Sequence, residues 1–283
     1  MDITFYSDLV TFQQRASPLL KSHCAVNSLK LGILEYYCEQ KKGSDDQVFA
    51  LGVEHGEVIA VLIKTRSLYF FANEAYVDEV IRCAIEEFLK RQIAIPEVMG
   101  YGETALRFAE SWKRKTQSDV VFAGKDYLYE IVSVGDKRPT RGVLRRAISS
   151  DMHELVLLFR EYYREDLGMT KTDEDLEQCI IRQLAEDQVH FWDDDGAKSM
   201  VTAILPFDDG VELTNVFTLQ GYRKMGYATA CISEVCRNLL QRWPRIVLFV
   251  DQDNAPANSL YTKAGFRLVD EMNSYTLTKQ DSF

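Results

Sequence analysis

The sequence predicts an α/β protein with two domains of similar build, each a mixed, mainly antiparallel sheet flanked by helices. Its 283 residues are long for one ordinary domain and suit two of about 140 residues each. Residues 135–142 combine glycine, proline and charge without apolar periodicity, which is typical of a boundary. Helical and strand spacings of apolar residues follow a related order on both sides of it. We therefore expect domains at 1–135 and 143–283, joined by a linker at 136–142.

In the first domain, β-rich runs separated by turn residues predict three strands, at 48–53, 58–64 and 68–71. Apolar residues at helical spacing then run from Val77 to Phe88, and again from Ala105 to Trp112, which predicts two helices. A strand at 127–134 closes the domain.

In the second domain, 143–147 is predicted as a strand, and apolar spacing from Met152 to Tyr163 predicts an amphipathic helix. Thr172 with Asp175 resembles a capping box and starts a second helix. The remaining elements are predicted as strands at 189–192, 199–205 and 211–218, a helix from about 226 to 241, a buried strand at 246–250, a short helix at 256–264, and closing strands at 266–270 and 275–278.

The charge balance and cysteine usage exclude several classes of protein. A net charge of −10 opposes binding to nucleic acid and to anionic membranes, and the acidic run 193–195 is interpreted as a solvated loop. We expect a cytoplasmic protein, because no leader-like start and no apolar run of membrane-spanning length is present. Six cysteines without a C-x-x-C pair and four histidines without metal spacing support neither a disulfide framework nor a metal site.

The most informative stretch is the strand 211–218 together with the basic turn that follows it. Gly226 stands where a helix begins, so free backbone N–H groups and the positive end of the helix dipole converge there. This predicts an anion site suited to a pyrophosphate. The alternative is a solvent-exposed basic turn that only caps the helix.

The Arg223-x-x-Gly226-x-Ala228 turn resembles the acyl-CoA signature of the GNAT superfamily of N-acyltransferases. A second segment, Asn254 followed by Leu260-Tyr-Thr-Lys-Ala-Gly-Phe266, is similar to a later motif of the same family. The resemblance covers roughly Gly142 to Leu277. The first domain looks like the degenerate N-terminal module of tandem GNAT proteins. Where a phosphate-binding turn should lie, it has an acid and no glycine at 73–77, so we expect one acyl-CoA per chain.

The resemblance implies that acetyl-CoA is the acyl donor and that an amine attacks its thioester directly, in a ternary complex. The implied cofactor contacts are Phe217 and Thr218 on the strand, Arg223, Lys224, Met225, Gly226, Tyr227, Ala228 and Thr229 in the turn and helix start, and Asn254 and Asn258 in the later helix. Asn254 and Asn258 also read as helix-capping residues. No metal is implied.

Tyr261 matches the family's general acid, which would protonate the departing thiolate. Its alternative role is packing, because Ala257, Leu260, Tyr261 and Ala264 form an apolar helical stripe. For the general base, the best candidate is Glu212. Strand alternation puts Glu212, Thr214 and Val216 on one face of the strand and Leu213, Asn215 and Phe217 on the other. A surface position is the alternative for Glu212. Tyr162 and Tyr163 are candidates for either a pocket wall or the core.

The predicted function is therefore transfer of an acetyl group from acetyl-CoA to a primary amine of a small molecule or peptide. Neither nucleic acid nor a membrane is an expected partner, and a homodimer is left open. The alternatives are a non-catalytic CoA-binding or interaction module, and a structural protein whose Arg223 turn does not bind CoA.

Overall fold

A computed structural model describes residues 1–40, 46–135 and 140–278. The chain divides into two compact units. The N-terminal unit contains Met1–Leu128, Val250–Asp253 and the residues from Val269 onward, and the C-terminal unit contains Tyr129–Phe249 and Asn254–Leu268. The predicted division at the linker 136–142 stays a prediction, since 136–139 lie outside the described residues.

The N-terminal unit begins with three elements that sequence patterns did not indicate: β1 (Asp2–Phe5), α1 (Leu9–Lys21) and α2 (Ser28–Gln40). The unit continues with β2 (Val48–Glu54), β3 (Glu57–Lys64), β4 (Leu68–Ala72), α3 (Val77–Lys90), β5 (Glu97–Tyr101), α4 (Thr104–Thr116) and β6 (Asp119–Ile131). The predicted strands and helices from 48 onward are confirmed, although β5 was not predicted and β6 starts well before 127.

The C-terminal unit follows the predicted order closely. Its elements are β7 (Val143–Arg146), α5 (Met152–Glu165), α6 (Asp173–Ala185), β8 (Val189–Asp193), β9 (Ala197–Phe207), β10 (Gly210–Thr218), α7 (Tyr227–Leu239), β11 (Arg245–Asp251) and α8 (Ala255–Ala264). The last strand, β12 (Arg267–Thr278), belongs to the N-terminal unit from Val269 onward. Thr172 caps α6 by accepting a hydrogen bond from the Asp175 N–H. The two predicted closing strands are wrong in one respect: they form a single strand, β12.

Both units have mainly antiparallel sheets that include a parallel pair. Within the N-terminal unit the strand order is β1-β2-β3-β4-β5-β12-β6; β4 and β5 pair in parallel, whereas β1 with β2, β2 with β3, β3 with β4, and β5 with β12 are antiparallel. Within the C-terminal unit the order is β11-β10-β9-β8-β7, and only β10 and β11 pair in parallel. The predicted fold class is confirmed.

Helices α5 and α6 cover one face of the C-terminal sheet because their apolar stripes are directed towards it. Leu155 and Phe159 of α5 and Ile180 of α6 are fully buried against the sheet residues Phe191, Met200 and Phe217. This packing brings the C-terminal end of α5 close to the end of β10. In the N-terminal unit, the predicted α3 stripe is likewise buried, together with the apolar face of α4.

Candidate active site

The strand β10 separates from β11 halfway along its length. Parallel pairing runs from Gly210 with Arg245 to Leu213 with Leu248 and then stops, although β11 continues to Asp251. On its other side, β10 stays paired with β9 as far as Thr218. The end of β10 therefore has one edge without a strand partner among the described residues, where an extended ligand could bind to the backbone.

A β-bulge lies in the same part of β10. Thr214 pairs with Thr202 and Phe217 pairs with Met200, so the two residues between them oppose a single residue of β9. Asn215 in the bulge adopts a left-handed backbone with a φ of +48°. The bulge thus lies just beyond Leu213, where β10 separates from β11.

The bulge overturns part of the predicted strand alternation. Residues paired across two strands share a face of the sheet. The partners of Glu212, Thr214 and Phe217 on β9 are Ile204, Thr202 and Met200. These three alternate regularly along β9, so Glu212, Thr214 and Phe217 lie on one face, the face covered by α5 and α6. The prediction that Phe217 faces away from Glu212 is wrong, because the extra residue shifts the alternation by one.

Helix α7 begins at Gly226 without a side-chain cap. Gly226 has a φ of +88°, which favours glycine, and the preceding Lys224 also lies in the left-handed region. Ala230 is the first residue whose N–H bonds back into the helix, to the carbonyl of Gly226 at 2.9 Å. The N–H groups of Gly226 to Thr229 have no hydrogen-bond partner in the described part of the chain. Four donors and the helix dipole are therefore available to an anion.

Arg223 turns back towards β10. Its Nε donates to the carbonyl of Thr218 at 2.9 Å, and its guanidinium lies 5.2 Å from the centre of the Phe217 ring. The terminal nitrogen pairs with a carboxylate oxygen of Glu165, at the end of α5, at 2.5 Å. The side chain thus braces the turn against the strand and α5, and Glu165 partly offsets the charge that was predicted to serve the cofactor.

Tyr261 of α8 is 6% exposed, and its ring packs on Tyr129 and Phe266. Burial raises the pKa of its hydroxyl, and nearby Tyr162 and Asp166 raise it further. The hydroxyl is therefore protonated at neutral pH, and it has no hydrogen-bond partner among the described residues. The hydroxyl is not sealed from solvent, so a ligand can reach it, and its catalytic role stays a prediction beside its packing role.

Asn254 caps α8, since its Oδ1 accepts a hydrogen bond from the Ala257 N–H at 3.1 Å. The Asn258 amide donates to the Asn254 carbonyl at 3.0 Å. The predicted structural role of both asparagines is thus present, and their contact with a cofactor stays a prediction.

Glu212 is only partly exposed. Its Oε2 is shielded from solvent and has no hydrogen-bond partner among the described residues. Burial raises its pKa to about 7. A carboxylate with this pKa is divided between its two protonation states at neutral pH, as a general base requires.

Tyr162 of α5 lies near both Phe217 of β10 and Tyr261 of α8. Its ring meets that of Phe217 edge-on at 6.1 Å, and burial raises the pKa of its hydroxyl to about 12. Asp166, at the C-terminal cap of α5, interacts electrostatically with Tyr162, Arg223 and Tyr261, and burial raises its pKa. Sequence reasoning missed Asp166 and Glu165, because acids after an amphipathic helix normally read as solvated.

The interpretation of 193–195 as a solvated loop is wrong for Asp193 and Asp194. Asp193 binds Arg145 at 2.6 Å, and Asp194 binds both Arg141 at 2.8 Å and the hydroxyl of Tyr227 at 2.6 Å. The Asp194 side chain is only 10% exposed. Asp193 and Asp194 are therefore part of a bonded network beside the start of α7, whereas the Asp195 side chain is 88% exposed, as expected for a solvated loop.

The described residues also bear on metal binding and on membrane insertion. They contain no group of three or more histidine, cysteine, aspartate or glutamate residues arranged to hold a metal ion. None of their helices combines the length and apolar character needed to cross a membrane.

Residues 192–275 match the model of a protein family described as FR47-like protein. No curated protein matches the sequence. A solved GNAT-family acetyltransferase from Colwellia psychrerythraea superposes with a TM-score of 0.61 at 10% identity, covering 99% of this chain and 100% of that one. A solved Drosophila protein gives a TM-score of 0.63 at 11% identity, covering 99% of each chain.

A tandem GNAT protein from the clavulanic acid biosynthesis pathway, solved without acetyl-CoA, gives a TM-score of 0.60 at 9% identity and covers the whole of both chains. At these identities the likeness concerns the fold. The resemblance predicted from the two motifs is thereby confirmed: the chain has the fold of tandem GNAT proteins, and the FR47-like match at 192–275 lies within its C-terminal half.

Proposed function

We propose that the protein transfers an acetyl group from acetyl-CoA to a primary amine of a small molecule or peptide, by direct attack in a ternary complex. The observation that carries the proposal is the uncapped start of α7, with four unpaired N–H groups, beside the open edge of β10. The expected absence of nucleic-acid and membrane partners and the cytoplasmic location belong to the same proposal.

The donor binds at two places in this proposal. Its pyrophosphate accepts hydrogen bonds from the N–H groups of Gly226 to Thr229, where the helix dipole favours negative charge. Its pantetheine arm extends along the free edge of β10 near Phe217 and Thr218. This arrangement directs the thioester towards the face of the sheet that carries Glu212.

Glu212 is the proposed general base for the acceptor. An alkylamine with a pKa of about 10.4 is almost entirely protonated at neutral pH, so it must lose a proton before it can attack. The pKa of about 7 for Glu212 lets the carboxylate accept that proton at physiological pH. Its position on the face under α5 and α6 supports this role.

Tyr261 is the proposed general acid. After the amine attacks, the carbon–sulfur bond breaks and the departing thiolate of CoA takes the phenolic proton. Burial keeps this phenol protonated, and its hydroxyl is not engaged with any described residue.

The test is release of free CoA when the protein meets acetyl-CoA and a panel of primary amines, with hydrolysis in the absence of amine subtracted. We expect at least one amine to give turnover that the Gly226→Glu variant lacks. Binding of acetyl-CoA without turnover on any amine would leave a CoA-binding module in place of the enzyme. Absence of any stabilisation by CoA in a thermal-shift assay would contradict the cofactor site itself.

A further inference from the structure

The chain enters the C-terminal unit through a short segment, Thr140 to Gly142, that is fixed against the turn between β8 and β9. The indole N–H of Trp192 donates to the carbonyl of Arg141 at 2.7 Å. Gly142 has a φ of +97°, and a Cβ added there would lie 2.4 Å from the carbonyl oxygen of Asp193. Only glycine allows so close an approach, so the position of this segment is set by the fold.

The same segment is connected to the start of α7. Arg141 forms ion pairs with Asp194 and Asp195, both at 2.8 Å. Asp194 also accepts a hydrogen bond from Tyr227, the first residue of α7, at 2.6 Å. Asp194 thus holds the entering segment and the helix start together. This network lies within the C-terminal unit.

Thr140 stands beside the glycine of the proposed phosphate site. Its Oγ1 is the nearest atom to the position that a Cβ on Gly226 would occupy, at 3.6 Å. The residue is half-buried, and its hydroxyl has no hydrogen-bond partner within the described ranges. A half-buried, unengaged hydroxyl next to four unpaired N–H groups is placed to serve the same ligand.

We propose that Thr140 is a ligand of the cofactor's pyrophosphate, supplied by the segment that precedes β7, and that its hydroxyl donates to a phosphate oxygen alongside the N–H groups of α7. The proposal rests on the proposed function, since it assigns a further residue to the same site. Sequence motifs did not indicate it, because Thr140 lies far from the Arg223 turn along the chain.

The Thr140 hydroxyl should increase the affinity for acyl donors that carry a pyrophosphate and leave the affinity for thioesters without one unchanged. A hydrogen bond to a charged phosphate contributes more than a neutral one, and its loss typically weakens binding about tenfold or more. A thioester of pantetheine alone has no phosphate near Thr140, so its Kd should not depend on the Thr140 hydroxyl.

The experiment is calorimetric titration of acetyl-CoA and of S-acetylpantetheine into the wild-type chain and three variants. Thr140→Val keeps the shape of the side chain and removes the hydroxyl, Thr140→Ser keeps the hydroxyl, and Thr4→Val on the exposed strand β1 is the matched control. We expect Thr140→Val to raise the Kd for acetyl-CoA about tenfold, and we expect Thr140→Ser and Thr4→Val to stay within about twofold of wild type. The Kd for S-acetylpantetheine should not change.

Equal affinity of Thr140→Val and wild type for acetyl-CoA would overturn the role of Thr140 alone. Equal weakening by Thr140→Val and Thr140→Ser would assign the residue to packing. Failure of the wild-type chain to bind acetyl-CoA would overturn the proposed function, and this inference with it.

Discussion

The helix starts of α3 and α7 occupy equivalent positions in the two units, but they differ in the charge carried by the first helical turn. In both units the helix follows a strand whose parallel pairing stops early, at Tyr69 with Met99 in one and at Leu213 with Leu248 in the other. Helix α3 follows a short 3-10 turn, Glu74–Tyr76, and carries Asp78 and Glu79 in its first turn. Helix α7 follows Gly226 and has no acid there.

The difference shows that a shared architecture does not by itself make an anion site. At α3 the carboxylates of Asp78 and Glu79 interact favourably with the positive end of the helix dipole and repel a phosphate. Asp78 is further engaged by Arg107 at 3.0 Å. At α7 the first turn carries no acid, and the neighbouring Asp194 is paired with Arg141, so the positive end is available to a ligand. We therefore propose that only the C-terminal unit binds acyl-CoA.

The largest expected effect comes from Gly226→Glu, which should abolish acetyl-CoA binding. Any side chain at a φ of +88° is strained, and a carboxylate at this point opposes the pyrophosphate. Calorimetry should find one site per chain in wild type and none in the variant, with circular dichroism unchanged. The matched control is Ala75→Glu in the exposed turn before α3, which should not alter binding. A wild-type stoichiometry of two would break the comparison between the units.

Tyr261→Phe comes next, and it should lower kcat on an identified amine by roughly 100-fold, the low end of the range for acid–base groups. The Kd for acetyl-CoA should change little, because the ring that packs on Tyr129 and Phe266 is kept. Tyr76→Phe, at the cap of α3, is the control and should keep wild-type kcat. Wild-type kcat in Tyr261→Phe would return this residue to a purely packing role.

Glu212→Gln should lower kcat/KM roughly tenfold at pH 8, where part of the amine is already neutral without help. In wild type, kcat/KM should rise with pH up to about 7, because the base acts only when ionised and its pKa is about 7. The variant should lose this inflection. Glu57→Gln, on the exposed start of β3, should retain it. An unchanged pH profile in Glu212→Gln contradicts the proposed base.

The smallest effect is expected from Glu165→Gln. This carboxylate pairs with Arg223, and the pair is partly exposed, so its loss changes the local free energy by about 0.2–1 kcal/mol. Freeing the guanidinium should strengthen acetyl-CoA binding by up to about fivefold at low salt and less at high salt. Weaker binding would instead indicate that Glu165 is needed to hold Arg223 in place.

Much of the C-terminal unit was predictable because its signals are local. Thr172 caps α6 and Gly226 precedes α7 as their residue types indicate, and the apolar stripe of α5 is buried as expected. The bulge in β10 was not predictable, since no residue type requires it and its effect is to reverse the face of Phe217.

The elements before Val48 illustrate a second limit. Helix α1 contains Pro18 and buries only Phe12, Ala16 and Leu20, and the apolar residues of α2 are spread around the helix. The buried residues of α1 follow helical spacing, but Pro18 inside the segment argues against a helix, and α2 gives no stripe at all. The site residues Asp194 and Thr140 were missed for another reason: their importance arises from neighbours distant in sequence, Tyr227 and Gly226.

The burial of Glu212 has a thermodynamic consequence for the whole fold. Its pKa is about 7 in the native chain and about 4.5 when the chain is unfolded. Between these pH values the native state retains a proton that the unfolded state has released, so the free energy of unfolding falls as pH rises from 4.5 to 7. By linkage the total loss is about 3 kcal/mol. The contribution of this carboxylate to stability is therefore least favourable once it is ionised, and a cationic ligand bound beside it would offset that loss.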